Sequence, residues 1–115
     1  MVEGFELETA PLTDDEKKLV PIIINGLAKC DEESKALHGK VICEKVTLKY
    51  GIKLTEPRLR KITNFIRSEG IIPIIATSKG YYTSKDKDVI LKQIASLEQR
   101  RDAIDVAIKG LQKFL

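Results

Sequence analysis

The chain has 115 residues, of which 43% are hydrophobic, with three Phe, three Tyr and no Trp. That length holds one small domain and an appendage around an aliphatic core, and two full domains are not expected. The formal net charge of +3 hides an asymmetry: residues 1–34 hold nine carboxylates against three lysines, whereas residues 40–85 hold ten Lys and Arg against three Glu. The middle of the chain would therefore attract a polyanion, and the beginning would not.

Residues 1–12 carry Glu3, Glu6 and Glu8, lack periodicity and contain Pro11, so they are expected to form an acidic, flexible arm. They do not resemble a signal peptide, and no apolar stretch reaches the length of a membrane span; a cytoplasmic protein without a membrane partner is expected. Thr13-Asp14-Asp15-Glu16 is a capping box, in which the Thr hydroxyl takes a first-turn amide and the Glu reaches back. The helix it starts should run to about Cys30, with a kink at Pro21.

Asp31 to Glu33 reads as a polar connector, and Lys35-Ala36-Leu37 as a short extended segment. A second helix is expected over Lys40 to Tyr50, with Ile42, Cys43, Val46 and Tyr50 on its apolar side and Gly51 as its stop. Cys30 and Cys43 lack metal or redox spacing and are read as reduced structural residues. The third helix, Thr55 to Ser68, has Thr55 as N-cap, Glu56 and Pro57 in its first turn, and Gly70 beyond its end. On this helix Leu59, Ile62, Phe65 and Ile66 gather on one side, and Arg60, Lys61, Asn64, Arg67 and Ser68 on the other.

Ile71 to Thr77 and Tyr81 to Thr83 are rich in β-branched and aromatic residues and flank Ser78-Lys79-Gly80, the pattern of a hairpin with Lys79 at its tip. From Ser84 onward, with Ser84 as its N-cap, a long helix is expected. Ile90, Ile94, Leu97, Ile104, Ile108 and Leu111 alternate at spacings of four and three, with Arg101 in the remaining seam position. Such a seam either folds back on the first helix or pairs with a second copy, and pairing as a homodimer is the expectation.

A helix, a short turn and a capped second helix are the layout of a helix-turn-helix, and a hairpin directly after it is a wing. The fold class expected is mainly α (α+β): a winged helix-turn-helix over residues 13–85, with a two-stranded wing, followed by a C-terminal dimerisation helix over residues 86–115. The chain resembles winged helix-turn-helix DNA-binding proteins. Gly70-Ile71-Ile72-Pro73-Ile74-Ile75-Ala76 followed by Gly80-Tyr81-Tyr82 is similar to the wing of the biotin-repressor type. Ser96-Leu97-Glu98-Gln99-Arg100-Arg101 resembles small phage or prophage winged-helix proteins with a C-terminal helix. The resemblance covers about residues 13 to 100 and implies DNA binding, in the manner of a phage or mobile-element transcription regulator or replication accessory.

In that geometry Arg60, Lys61, Asn64 and Arg67 would face the bases, since Arg pairs with guanine and Asn with adenine. Lys40, Lys45, Lys49 and Arg58 would contact phosphate, and Lys79 would reach phosphate or the minor groove. His38 is the only histidine, and the sequence has no phosphate loop, nucleophile elbow or ligand-spaced cluster. No catalytic residue, metal, cofactor or small-molecule ligand is therefore expected. The alternative is a winged-helix module that binds another protein, or an assembly part, without DNA.

Overall fold

A computed structural model describes residues 10–115; the expected arm lies largely outside them. The chain divides into two units, one ending at Ser84 and one running Lys85–Leu115. The first holds helices α1 (Asp14–Ala28), α2 (Gly39–Tyr50) and α3 (Glu56–Ser68), a short 3-10 turn at Glu33–Lys35, and strands β1 (Ile74–Thr77) and β2 (Gly80–Thr83). It is mainly helical, with one two-stranded antiparallel sheet. The second unit is the helix α4 (Lys87–Gln112).

The capping box at the start of α1 forms as the sequence predicts: the Glu16 amide donates to Thr13 Oγ1 at 3.2 Å and the Thr13 amide to Glu16 Oε1 at 2.8 Å. The helix is continuous through Pro21. Proline has no N–H, so the carbonyl one turn earlier, at Lys17, loses its helical partner. Both residues are exposed, and water can satisfy that carbonyl. Leu19, Ile23 and Leu27 form one buried stripe of α1, and they meet Ile42, Cys43 and Val46 of α2, Leu54 before α3, and Leu59, Ile62 and Ile66 of α3. Both cysteines are free and buried.

Helix α2 starts at Gly39, one residue before expectation, and ends at Gly51, whose φ of 69° is the left-handed conformation that favours glycine. The turn to α3 is fixed by the Leu54 amide donating to Thr47 Oγ1 at 3.1 Å. Strand β1 is shorter than the apolar run Ile71 to Thr77 because Pro73 cannot donate to a ladder. The register pairs Ile74 with Thr83 and Thr77 with Gly80, leaving Ser78 and Lys79 as the turn.

The segment before α2 joins this hairpin: Leu37 and Tyr81 exchange backbone bonds of 3.0 and 2.8 Å. Gly80 makes that approach possible, because a Cβ there would lie 2.3 Å from the Leu37 carbonyl oxygen. At the other end of β2, Thr83 donates from its amide to the Cys30 carbonyl at 2.8 Å, closing the hairpin onto the end of α1.

The long helix is capped by Asp86, whose side chain accepts the Asp88 amide at 2.8 Å, and not by Ser84. Ser84 stays with the hairpin, its amide donating to the Pro73 carbonyl at 3.3 Å. At ~1.5 Å per residue, α4 is about 39 Å long. Its seam residues Ile94, Leu97, Ile104, Ile108 and Leu111 are exposed, and Ile90 is half-buried. Arg101, within the seam, pairs along its own helix with Glu98 at 3.8 Å and Asp102 at 3.5 Å. Among the described residues, no helix is long and apolar enough to cross a membrane.

Candidate nucleic-acid interface

Helix α3 is held along both flanks, and what lies between the flanks is the candidate surface. On the flank toward α1, the Glu16 carboxylate accepts Lys61 Nζ at 2.7 Å on Oε1 and Arg58 Nε at 2.9 Å on Oε2. The Glu16 side chain is 2% exposed and that of Lys61 5%. Burial alone would raise the Glu16 pKa. The Lys61 ammonium, the Thr13 amide and the Arg58 guanidinium outweigh it and bring the value down to about 2 from 4.5. Arg58 also donates to the Lys53 carbonyl.

This geometry corrects two assignments. Lys61 does not belong to the outward face: its stem lies over the apolar side and its charge is spent on Glu16. Arg58 is not a spare phosphate ligand, since Glu16 and the Lys53 carbonyl both engage it. The signal for this was present in the sequence. Glu16, Leu19, Ile23 and Leu27 follow one helical stripe, so a carboxylate on a core-facing position required a cation from elsewhere in the fold.

On the opposite flank, Arg67 is half-buried and its Nε donates to the Ile74 carbonyl at 3.1 Å, joining α3 to β1. It is a clasp for the hairpin rather than an outward residue. Tyr81 packs close by. Burial pushes its phenol pKa up, while nearby Arg60 and Arg67 and a hydrogen bond with Thr63 oppose that rise.

Between the two flanks, Glu56, Arg60, Asn64 and Ser68 are exposed at successive four-residue spacings. Of the four expected base-facing residues, Arg60 and Asn64 thus remain on the outer stripe. Ser68 extends it, while Glu56 places a negative charge at its beginning.

Helix α2 divides the other cations. Gly39 lies against Glu56, Leu59 and Tyr81, and Thr47 bonds to Leu54. This defines the α3-facing side of α2, and the exposed Lys40 stands next to it. Lys45 and Lys49 instead line the groove toward α1, so the structure does not bring them together with the stripe. At the hairpin tip Lys79 pairs with Glu33 at 2.9 Å, a contact spanning 46 residues that local sequence does not reveal. Both partners are largely exposed, so water screens the pair and it opens readily.

Among the described residues, no group of three or more His, Cys, Asp or Glu could hold a metal ion. Comparison of the chain with protein-family models, curated proteins and solved structures gives no match.

Proposed function

We propose that residues 13–85 form a winged helix-turn-helix that binds duplex DNA without catalysing a reaction, with α3 entering the major groove. The observation that carries this reading is the solvent-exposed stripe Arg60, Asn64 and Ser68 on a helix held on one flank by Glu16 and on the other by the Ile74 carbonyl. The element order supports it: helix, paired segment at Leu37, two helices, then hairpin. Arg60 and Asn64 have the donor and acceptor geometry for guanine and adenine. Lys40 is placed for phosphate, and Lys79 joins it once released from Glu33.

A rigid helix presenting two such side chains would give a modest sequence preference on top of charge-driven affinity. Fluorescence anisotropy with a random duplex tests it: binding should appear in the ~10⁻⁴ to 10⁻⁶ M range at low salt and weaken steadily as salt rises. Absence of binding at low salt, or affinity indifferent to salt, rules the reading out.

The α4 seam is the proposed dimerisation surface, because a single helix cannot bury its own apolar stripe. Two copies would present two α3 helices to half-sites about one DNA turn apart. Light scattering should give a mass near twice the 12.9 kDa of one chain, and the double substitution Leu97→Glu, Ile104→Glu should return it to one. A single-chain mass for the unaltered protein removes the dimer.

A second reading, a winged-helix module that binds another protein, has one observation in its favour: Glu56 and Glu33 place acids at the start of the stripe and at the wing tip. Unchanged DNA affinity after Arg60→Ala would favour it.

A further inference from the structure

The groove between α1 and α2 has the chemistry of a ligand site separate from the α3 surface. Its volume is about 290 Å³, just below the range of ~300–1,000 Å³ for small-molecule sites. Buried Ile23, Leu27 and Val46 form its apolar floor. Around the floor stand Lys29 from the end of α1 and Lys45 and Lys49 from α2. Among the described residues no carboxylate lines this groove, and neither Lys29 nor Lys45 has an ion pair. Lys49 stands 5.5 Å from the centre of the Tyr50 ring, which also borders the groove.

Three lysines from two helices line one apolar slot that, among the described residues, has no carboxylate in its lining, whereas the cations packed against α1, the 3-10 turn and the hairpin tip meet acids: Lys61 and Arg58 with Glu16, Lys35 with Asp31, Lys79 with Glu33. Lys45 and Lys49 also project from the side of α2 away from Gly39 and Thr47, so the proposed DNA contacts do not use them. We propose that this groove binds an amphipathic organic anion, specifically an aliphatic carboxylate. Its tail lies on Ile23, Leu27 and Val46, and its carboxylate meets Lys29, Lys45 and Lys49. Tail burial supplies the affinity, and the lysines select a charged head over a neutral one.

Calorimetric titration of the full chain with decanoate below its micelle concentration, in the absence of DNA, tests this independently of the DNA reading. One saturable site per chain is expected. Decanol should bind at least about tenfold more weakly, and so should decanoate to the Lys45→Ala, Lys49→Ala variant, since two charge contacts are lost. Both lysines are exposed, so that variant should melt with the unaltered protein. No saturation with decanoate, equal binding of decanol, or the same heat from inorganic phosphate alone would each overturn the proposal. A full-length Glu3→Gln, Glu6→Gln, Glu8→Gln variant should bind decanoate within twofold of the unaltered chain. A tenfold gain would instead assign the groove to the chain's own acidic N-terminal segment.

Discussion

Replacing Glu16 with Gln is expected to cost about 3–5 kcal/mol of folding stability, the range for removing one member of a buried ion pair. Lys61 would remain at 5% side-chain exposure with its counter-charge gone, and α1 would lose its attachment to α3 at two points, Lys61 and Arg58. Urea denaturation measures this directly, and a loss under 1 kcal/mol contradicts it. Glu16→Gln combined with Lys61→Met should recover much of the loss, because an apolar pair needs no counter-charge.

The same carboxylate predicts an acid limb. With a pKa of about 2 in the folded chain against 4.5 when unperturbed, Glu16 binds its proton more readily in the unfolded state. Its contribution is therefore complete above pH ~4.5 and disappears as pH falls toward 2. The shift corresponds to about 3 kcal/mol. In Glu16→Gln that part of the pH dependence should be missing, and an identical acid limb in the two proteins would place the ionisation elsewhere.

The second large effect concerns the stripe. On a duplex recovered by binding-site selection, Arg60→Ala and Asn64→Ala should each weaken binding by roughly 10- to 100-fold, because each removes a base contact of ~1–3 kcal/mol. On random duplex Asn64→Ala should be nearly neutral, and Arg60→Ala should lower the salt slope by about one. Lys45→Ala and Lys49→Ala should change neither, since their side chains line the α1–α2 groove. Equal losses from all four substitutions would mean a diffuse cationic surface instead of a reading helix. Lys61→Ala is unsuitable as a binding probe, because it would strip the buried Glu16 of the closer of its two cationic partners and so disturb the fold.

Most of the elements were legible because their signals are local. Thr13 with Glu16, Thr55 with Pro57, Gly51 and the Ser78-Lys79-Gly80 turn each specify a boundary through neighbouring residues. Helical periodicity on α3 placed Leu59, Ile62 and Ile66 correctly. It misplaced Lys61 and Arg67 because a long side chain can leave the face of its Cβ, and their partners, Glu16 and the Ile74 carbonyl, are set by tertiary packing. Ser84 was the expected cap of α4 by residue type; the hairpin holds its amide, and Asp86 caps the helix instead. The split of α2 cations between two surfaces depended on which side of that helix α1 occupies, and no local pattern carries that information.

The most direct measurement of the central claim is a backbone amide NMR titration with a short duplex. The proposal predicts perturbations concentrated at Arg60, Asn64 and Ser68, at Lys40 and around Ser78 and Lys79, with the groove residues Lys45 and Lys49 little changed. Perturbations centred on the α1–α2 groove, or none on α3 at saturating duplex, would contradict it.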